Sequence, residues 1–228
     1  MITIYCVNTR TRQKFPEGTT LQDMVEAFDF ERPHPIIAAK VNNVSQGLRY
    51  RAFNNRNVEF LDYTSYTGRG VYRRSLCFLL YKAAHDIFPG CRVVIRRPIS
   101  KGFFCYIDKD GNGSLTISKE ELVQLRARME ELVKQNIPFR RHEVQKEEAI
   151  ETFRRVGADD KVRLLETTGD VYVNYYTLLD TPDYYYDALL TGTGYLKVWS
   201  LTPFKNGLLL RVPDRHRPEQ LTPLIEQP

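Results

Sequence analysis

The stretch Arg73–Ile107, RRSLCFLLYKAAHDIFPGCRVVIRRPISKGFFCYI, decides how the rest of the chain is read. Its first half sets Leu76, Leu79, Leu80, Ala83, Ala84 and Ile87 at spacings of three and four. That pattern predicts a long amphipathic helix from about Tyr72 to Phe88, with Pro89 at its end. The second half alternates: Val93–Ile95 and Gly102–Ile107 read as the two strands of a hairpin.

Downstream, Leu122, Leu125, Met129, Leu132 and Val133 define a second helix, with Ser118 as its cap and Glu121 at the capping-box position. A shorter helix spans about Lys146–Val156 and stops at Gly157. Val162–Leu165, Val171–Tyr176 and Tyr195–Leu201 read as strands. From Val212 to Pro228, prolines and charges replace all periodicity, which predicts a linker or tail over 212–228. Upstream, Asp62–Gly70 is polar and Gly-containing, so 64–70 reads as a connector.

Residues 1–63 form a pattern of their own. Ile2, Ile4 and Cys6 alternate with polar positions, and Arg12–Phe15 supplies a hairpin partner. Pro16-Glu17-Gly18 is a turn. Thr19 or Thr20 caps a short helix, Leu21–Phe28, with Gln22 or Asp23 placed for a capping box. Strands are expected at Ile36–Val41, Val44–Tyr50 and Val58–Leu61. The expected class is α+β, in two units of 1–63 and 71–211.

A chain of 228 residues that is 42% hydrophobic and 27% charged is ordinary globular material, long enough for two cores. No apolar run approaches the roughly 18 residues of a spanning helix. The opening MITIYCVNTRTRQKF has no basic segment followed by an apolar one, so no signal peptide is read and a cytoplasmic location is expected. The four cysteines lack any CxxC or histidine spacing suited to metal and are expected as reduced thiols. Net charge is +5, and much of the excess sits in Arg92, Arg96, Arg97, Lys101, Arg140 and Arg141. Solvated strand edges and a nucleic-acid footprint both account for that cluster.

Several motifs carry a family resemblance. Phe15-Pro16-x-Gly18-Thr19-Thr20, Ala38-Ala39-Lys40-Val41-Asn42 and Val58-Glu59-Phe60-Leu61 resemble TGS domains, which are ubiquitin-like β-grasps. Ser75, Leu79-Leu80, Pro89 and Gly102-Phe103-Phe104 resemble the editing domain shared by threonyl- and alanyl-tRNA synthetases. That family carries His-Ser-x-x-His at the helix start and Asp-x-Cys-x-x-x-His later. Here the corresponding positions are Arg74, Phe78, Pro182 and Tyr186, none of them His or Cys. Lys161 and Asp180 match a pocket lysine and the aspartate. A guanidinium and a phenyl ring neither bind metal nor shuttle protons near neutral pH, so the resemblance implies the scaffold without its hydrolytic chemistry.

The order of the two domains also resembles the N-terminal region of bacterial uridine kinase-like nucleoside kinases. The stretches ITIYCVNTRTRQKFPEGTT, SKGFFCYID and TGYLKVWSL carry that likeness. It implies a non-catalytic region whose partner is a C-terminal kinase domain. ATP and Mg²⁺ would bind only in that domain, and no cofactor is expected in this chain. The alternatives are a degenerate threonyl-tRNA synthetase-type fragment that binds tRNA and a free-standing β-grasp adaptor. Oligomeric state stays open, and no membrane partner is expected.

If the fold is kept, Arg74, Phe78, Lys161, Asp180 and Tyr186 converge. They then form a pocket for a nucleotide, RNA or another anion. In the bland alternative Arg74 pairs with Asp180 and the tyrosines fill the emptied cavity. Asp108, Asp110 and Asn112 imitate a calcium loop, but Lys119 stands where the bidentate Glu belongs, so calcium is rejected. His34, His85, His142 and His216 are read as surface or helix-edge residues.

Overall fold

The computed structural model describes residues 1–99, 102–109 and 117–222. It is a mixed α+β structure with several sheets. Strands β1 (Ile2–Cys6) and β2 (Thr11–Phe15) form the first hairpin, followed by the short β3 (Thr19–Thr20) and helix α1 (Leu21–Ala27). Thr20 caps α1 by accepting from the Asp23 amide, so the cap is the second of the two candidate threonines. Then come β4 (Ala38–Val41), β5 (Val44–Gln46), β6 (Arg51–Ala52) and β7 (Arg56–Leu61). The expected strand over Val44–Tyr50 is therefore shorter, because the chain turns at Gly47 to pair β6 with β3. The main sheet has the order β2-β1-β7-β4-β5, with β1 and β7 parallel. Leu21, Met24, Val25 and Phe28 cover it and close one core with Ile4, Val58 and Phe60.

Helix α2 (Tyr66–Ile87) is the axis of the remainder and begins well before the expected Tyr72. Most of the expected connector is thus helical. Ser65 Oγ accepts from the Gly68 amide at 3.0 Å and donates to the Asp62 carbonyl at 2.9 Å. A Cβ at Gly68 would lie 1.9 Å from that carbonyl oxygen, so only glycine permits this tight start. The helix is buried on more than the one expected face: Phe78 and Lys82 are covered as well as Leu76, Leu79, Leu80, Ala83 and Ala84.

Strands β8 (Arg92–Ile99) and β9 (Gly102–Asp108) form the expected hairpin, with a register shift between Ile95 and Pro98. Pro98 has no N–H to offer a ladder, which suits that irregularity. Helix α3 (Lys119–Lys134) carries the full capping box, Ser118 Oγ on the Glu121 amide and the Glu121 carboxylate on the Ser118 amide. Ser118→Ala should cost about 1 kcal/mol. A denaturation midpoint unchanged from wild type would refute that.

Next are β10 (Phe139–Gln145), α4 (Lys146–Arg155), α5 (Asp159–Glu166), β11 (Tyr172–Leu178) and β12 (Thr181–Asp183). The segment expected as a strand over Val162–Leu165 is α5: Asp159 and Asp160 sit in its first turn, and Val162 and Leu165 bury one face three residues apart. The expected strand Tyr195–Leu201 is instead a 3-10 turn, Thr193–Tyr195, followed by β13 (Ser200–Phe204). Strand β14 (Gly207–Arg211) then completes an antiparallel sheet in the order β13-β14-β9-β8. Both faces of α2 are used by the large core, which also takes in Ile37, Ala38 and Tyr63 from the first unit.

The segment after Val212 is not wholly linker-like. Tyr63 Oη donates to the Pro213 carbonyl at 2.9 Å, Pro213 bridges to Leu221, and Thr222 is buried.

Candidate functional site

The residues singled out from the sequence sit around the second half of α2, but they pair differently from expectation. Arg74 does not meet Asp180. Its Nη2 lies 2.9 Å from the Asp187 carboxylate, and Nε and Nη2 donate to the Ala188 carbonyl at 3.2 and 3.0 Å. Asp180 is held by Lys82, whose buried ammonium also meets Asp86 at 2.8 Å one helical turn on. Ser75 Oγ accepts from the Leu190 amide at 2.9 Å, fixing the run 188–190 against the helix. Arg74 and Asp180 are thus structural ties between α2 and the segment after β11.

Phe78 is fully buried. Its ring lies 5.4 Å from Tyr185, 5.8 Å from Phe139 and 6.4 Å from Tyr81. The ring that fills the space is Tyr185; Tyr186 points out and is 94% exposed. Tyr185 packs into the large core that surrounds α2, while Tyr184 packs with α4 and α5. Pro182 is buried within β12.

Lys161, on α5, reaches Asp183 at 3.4 Å and Asp160 at 3.1 Å. Asp183 also accepts from the Tyr184 amide at 2.8 Å and from the Tyr185 hydroxyl. Burial raises the Asp183 carboxyl above the usual carboxylate range, and Lys161 only partly offsets it. Burial alone would lower Lys161, but Asp183 and Asp160 outweigh it and the ammonium ends above its ordinary value. Asp183 and Lys82 were not singled out by sequence reasoning, whereas Tyr185 stood within the aromatic run Tyr184–Tyr186 that was expected at the pocket. The Thr181-Pro182-Asp183 stretch ahead of that run was the available signal for Asp183.

The one thiol beside this cluster is Cys77. Burial, with the Asp183 charge adding to it, pushes Cys77 up to about 12. It is a neutral thiol at physiological pH and no nucleophile. His85 lies 4.3 Å from the Tyr81 ring in a tilted contact, its buried Nε2 lacks a hydrogen-bond partner among the described residues, and burial lowers its pKa. It is more deeply set than the expected helix-edge residue. Among the described residues no three His, Cys, Asp or Glu side chains gather as a metal site. Asp110 and Asn112 of the calcium-like loop lie outside the described residues; Asp108 ends β9, and Lys109 is committed to Glu121 at 2.8 Å. The cluster is a packed aromatic plug beside a buried Lys–Asp pair.

No protein-family model matches the chain. Curated proteins do. One from Marinobacter nauticus is 27% identical over 193 residues, covering 84% of this chain and 30% of the relative. One from Fusobacterium nucleatum is 32% identical over 168 residues, covering 72% and 26%. One from Symbiobacterium thermophilum is 28% identical over 190 residues, covering 83% and 29%. All three are named threonine–tRNA ligase. The chain spans less than a third of the length of these relatives. They favour a tRNA-synthetase-type fragment over a nucleoside-kinase parent. The kinase parentage expected from the sequence finds no support in them.

Proposed function

We propose that this chain is a threonyl-tRNA synthetase-type region that contacts tRNA and has no editing activity of its own. The observation that carries the reading is the replacement of an expected hydrolytic pocket by Phe78, Tyr185 and Phe139, in a chain similar to threonine–tRNA ligases. A TGS-like β-grasp over 1–63 is part of this proposal. It is supported by the mixed five-stranded sheet, with its parallel β1–β7 pair and a helix after the first hairpin. The editing-type unit would occupy about 71–211. A cytoplasmic place follows from the same reading. Among the described residues no helix is long and apolar enough to cross a membrane.

The surface offered for RNA is the edge strand β8. Arg92 and Arg96 are exposed there, and Arg96 lies 5.4 Å over the Tyr106 ring, a cation–aromatic pair that suits a phosphate backbone with unstacked bases. The side chain of Arg97 and all of Lys101 lie outside the described residues. Binding should weaken steeply with salt, and Arg92→Glu/Arg96→Glu should reduce the salt slope by about one per lost phosphate contact. Filter binding with tRNA checks this, alongside deacylation of mischarged tRNA. Hydrolysis above the buffer rate, or no tRNA retention at low salt, would overturn the reading.

A further inference from the structure

A cavity of about 760 Å³ lies away from the aromatic plug, where α2 and α3 meet the 3-10 turn and the returning segment 213–219. None of Arg74, Phe78, Lys161, Asp180 and Tyr186 lines it. Its size suits a small organic ligand. Three tyrosines, Tyr63, Tyr72 and Tyr195, contribute to its walls. Tyr63 and Tyr72 have their hydroxyls engaged by the Pro213 and Val198 carbonyls at 2.9 Å each, and their rings meet edge to face at 5.0 Å. The two rings are therefore fixed in orientation before any ligand arrives.

The charged groups at the rim are two lysines and one glutamate. Lys134 and Lys197 both line the cavity, both are exposed, and neither ammonium has an ion-pair or hydrogen-bond partner among the described residues. Asn136 adds a donor: its Oδ1 accepts from the Gly194 amide at 3.0 Å, which turns the amide nitrogen away from that contact. Glu219, on the returning segment, supplies an acceptor. Fixed rings, two unpaired cations, a donor and an acceptor around one space call for a flat body carrying an anion and hydroxyl groups.

We propose that this cavity binds a nucleoside 5′-phosphate unit, with the base against the tyrosines, the phosphate on Lys134 and Lys197, and the ribose hydroxyls toward Glu219. The unit is chemically the same whether it is a free nucleotide or an unpaired nucleotide of an RNA. Because Pro213, Pro218 and Glu219 form one wall, an occupied cavity also holds the returning segment in place.

Calorimetry with AMP, adenosine, inorganic phosphate and a short single-stranded oligoribonucleotide tests this on the whole chain. AMP should bind, with adenosine and phosphate each weaker by about tenfold or more. The variant Lys134→Glu/Lys197→Glu changes only exposed side chains, so its melting temperature should match wild type while AMP affinity falls by about tenfold or more. Saturating AMP should slow tryptic cleavage after the exposed Arg215. An oligoribonucleotide that displaces AMP assigns the unit to RNA, and one that does not assigns it to a free nucleotide. No AMP binding at millimolar concentration would overturn the proposal. So would undiminished binding in the double variant, or cleavage after Arg215 indifferent to AMP. Neither tRNA retention on β8 nor the absence of deacylation enters these outcomes, so the two proposals fail separately.

Discussion

Phe78→Ala should cost about 3–5 kcal/mol of folding free energy, the largest effect of any single substitution proposed for this protein. The ring is completely buried and touches Tyr81, Phe139 and Tyr185, which belong to three different parts of the chain. Truncation leaves a hole that a helix, a strand and a loop would all have to move to fill. Chemical denaturation measures the loss directly, and Phe78→Leu should recover more than half of it. A loss under about 1 kcal/mol would mean that the site collapses freely and that the plug contributes little.

Lys161→Met comes second, with an expected cost of about 2–3 kcal/mol at neutral pH. The change removes the cation facing the buried Asp183 carboxylate. It falls short of the full cost of a broken buried pair because a quarter of the lysine side chain is exposed. The pH dependence identifies the cause. Asp183 is already raised by burial, so without Lys161 its carboxylate costs most at high pH, and the deficit should shrink as acid protonates it. In the wild type the raised lysine contributes stability that is complete below its ordinary value of 10.5 and is lost as pH climbs through the higher folded value. Lys161→Met/Asp183→Leu should regain part of the loss, leaving the Tyr185 hydroxyl without its acceptor. A pH-independent deficit, or no recovery in the double variant, would show that the ammonium acts only through its packing.

Local signals in this chain were readable wherever one short stretch contains both cause and effect. The Ser118–Glu121 box and the Thr20 cap are of that kind, because donor and acceptor lie within four residues. The start of α2 was hidden because Asp62–Gly70 has the composition of a loop; its helical state depends on Ser65 and on Gly68 fitting against Asp62. Helix α5 was misread because a four-residue apolar window fits both periods, and the Asp159-Asp160 pair before it was the better guide. At the site, Arg74 and Phe78 were singled out from the sequence, and the structure sets both on α2. Their partners were not legible there. Which of Tyr185 and Tyr186 turns inward is set beyond the end of β12, in an irregular run that bends at 186–187. Likewise Arg74 meets Asp187 and Lys82 meets Asp180 because the backbone from 180 to 190 runs antiparallel to α2.

The plug of rings around Phe78 also works as a ratchet. A histidine restored there alone would have its nitrogens stranded among hydrocarbon, with no ligand set to receive them. Placing a polar group at Phe78 would require Tyr185 and Phe139 to change with it, each change harmful until the others are made. The packing thereby locks the apolar character of this position in place.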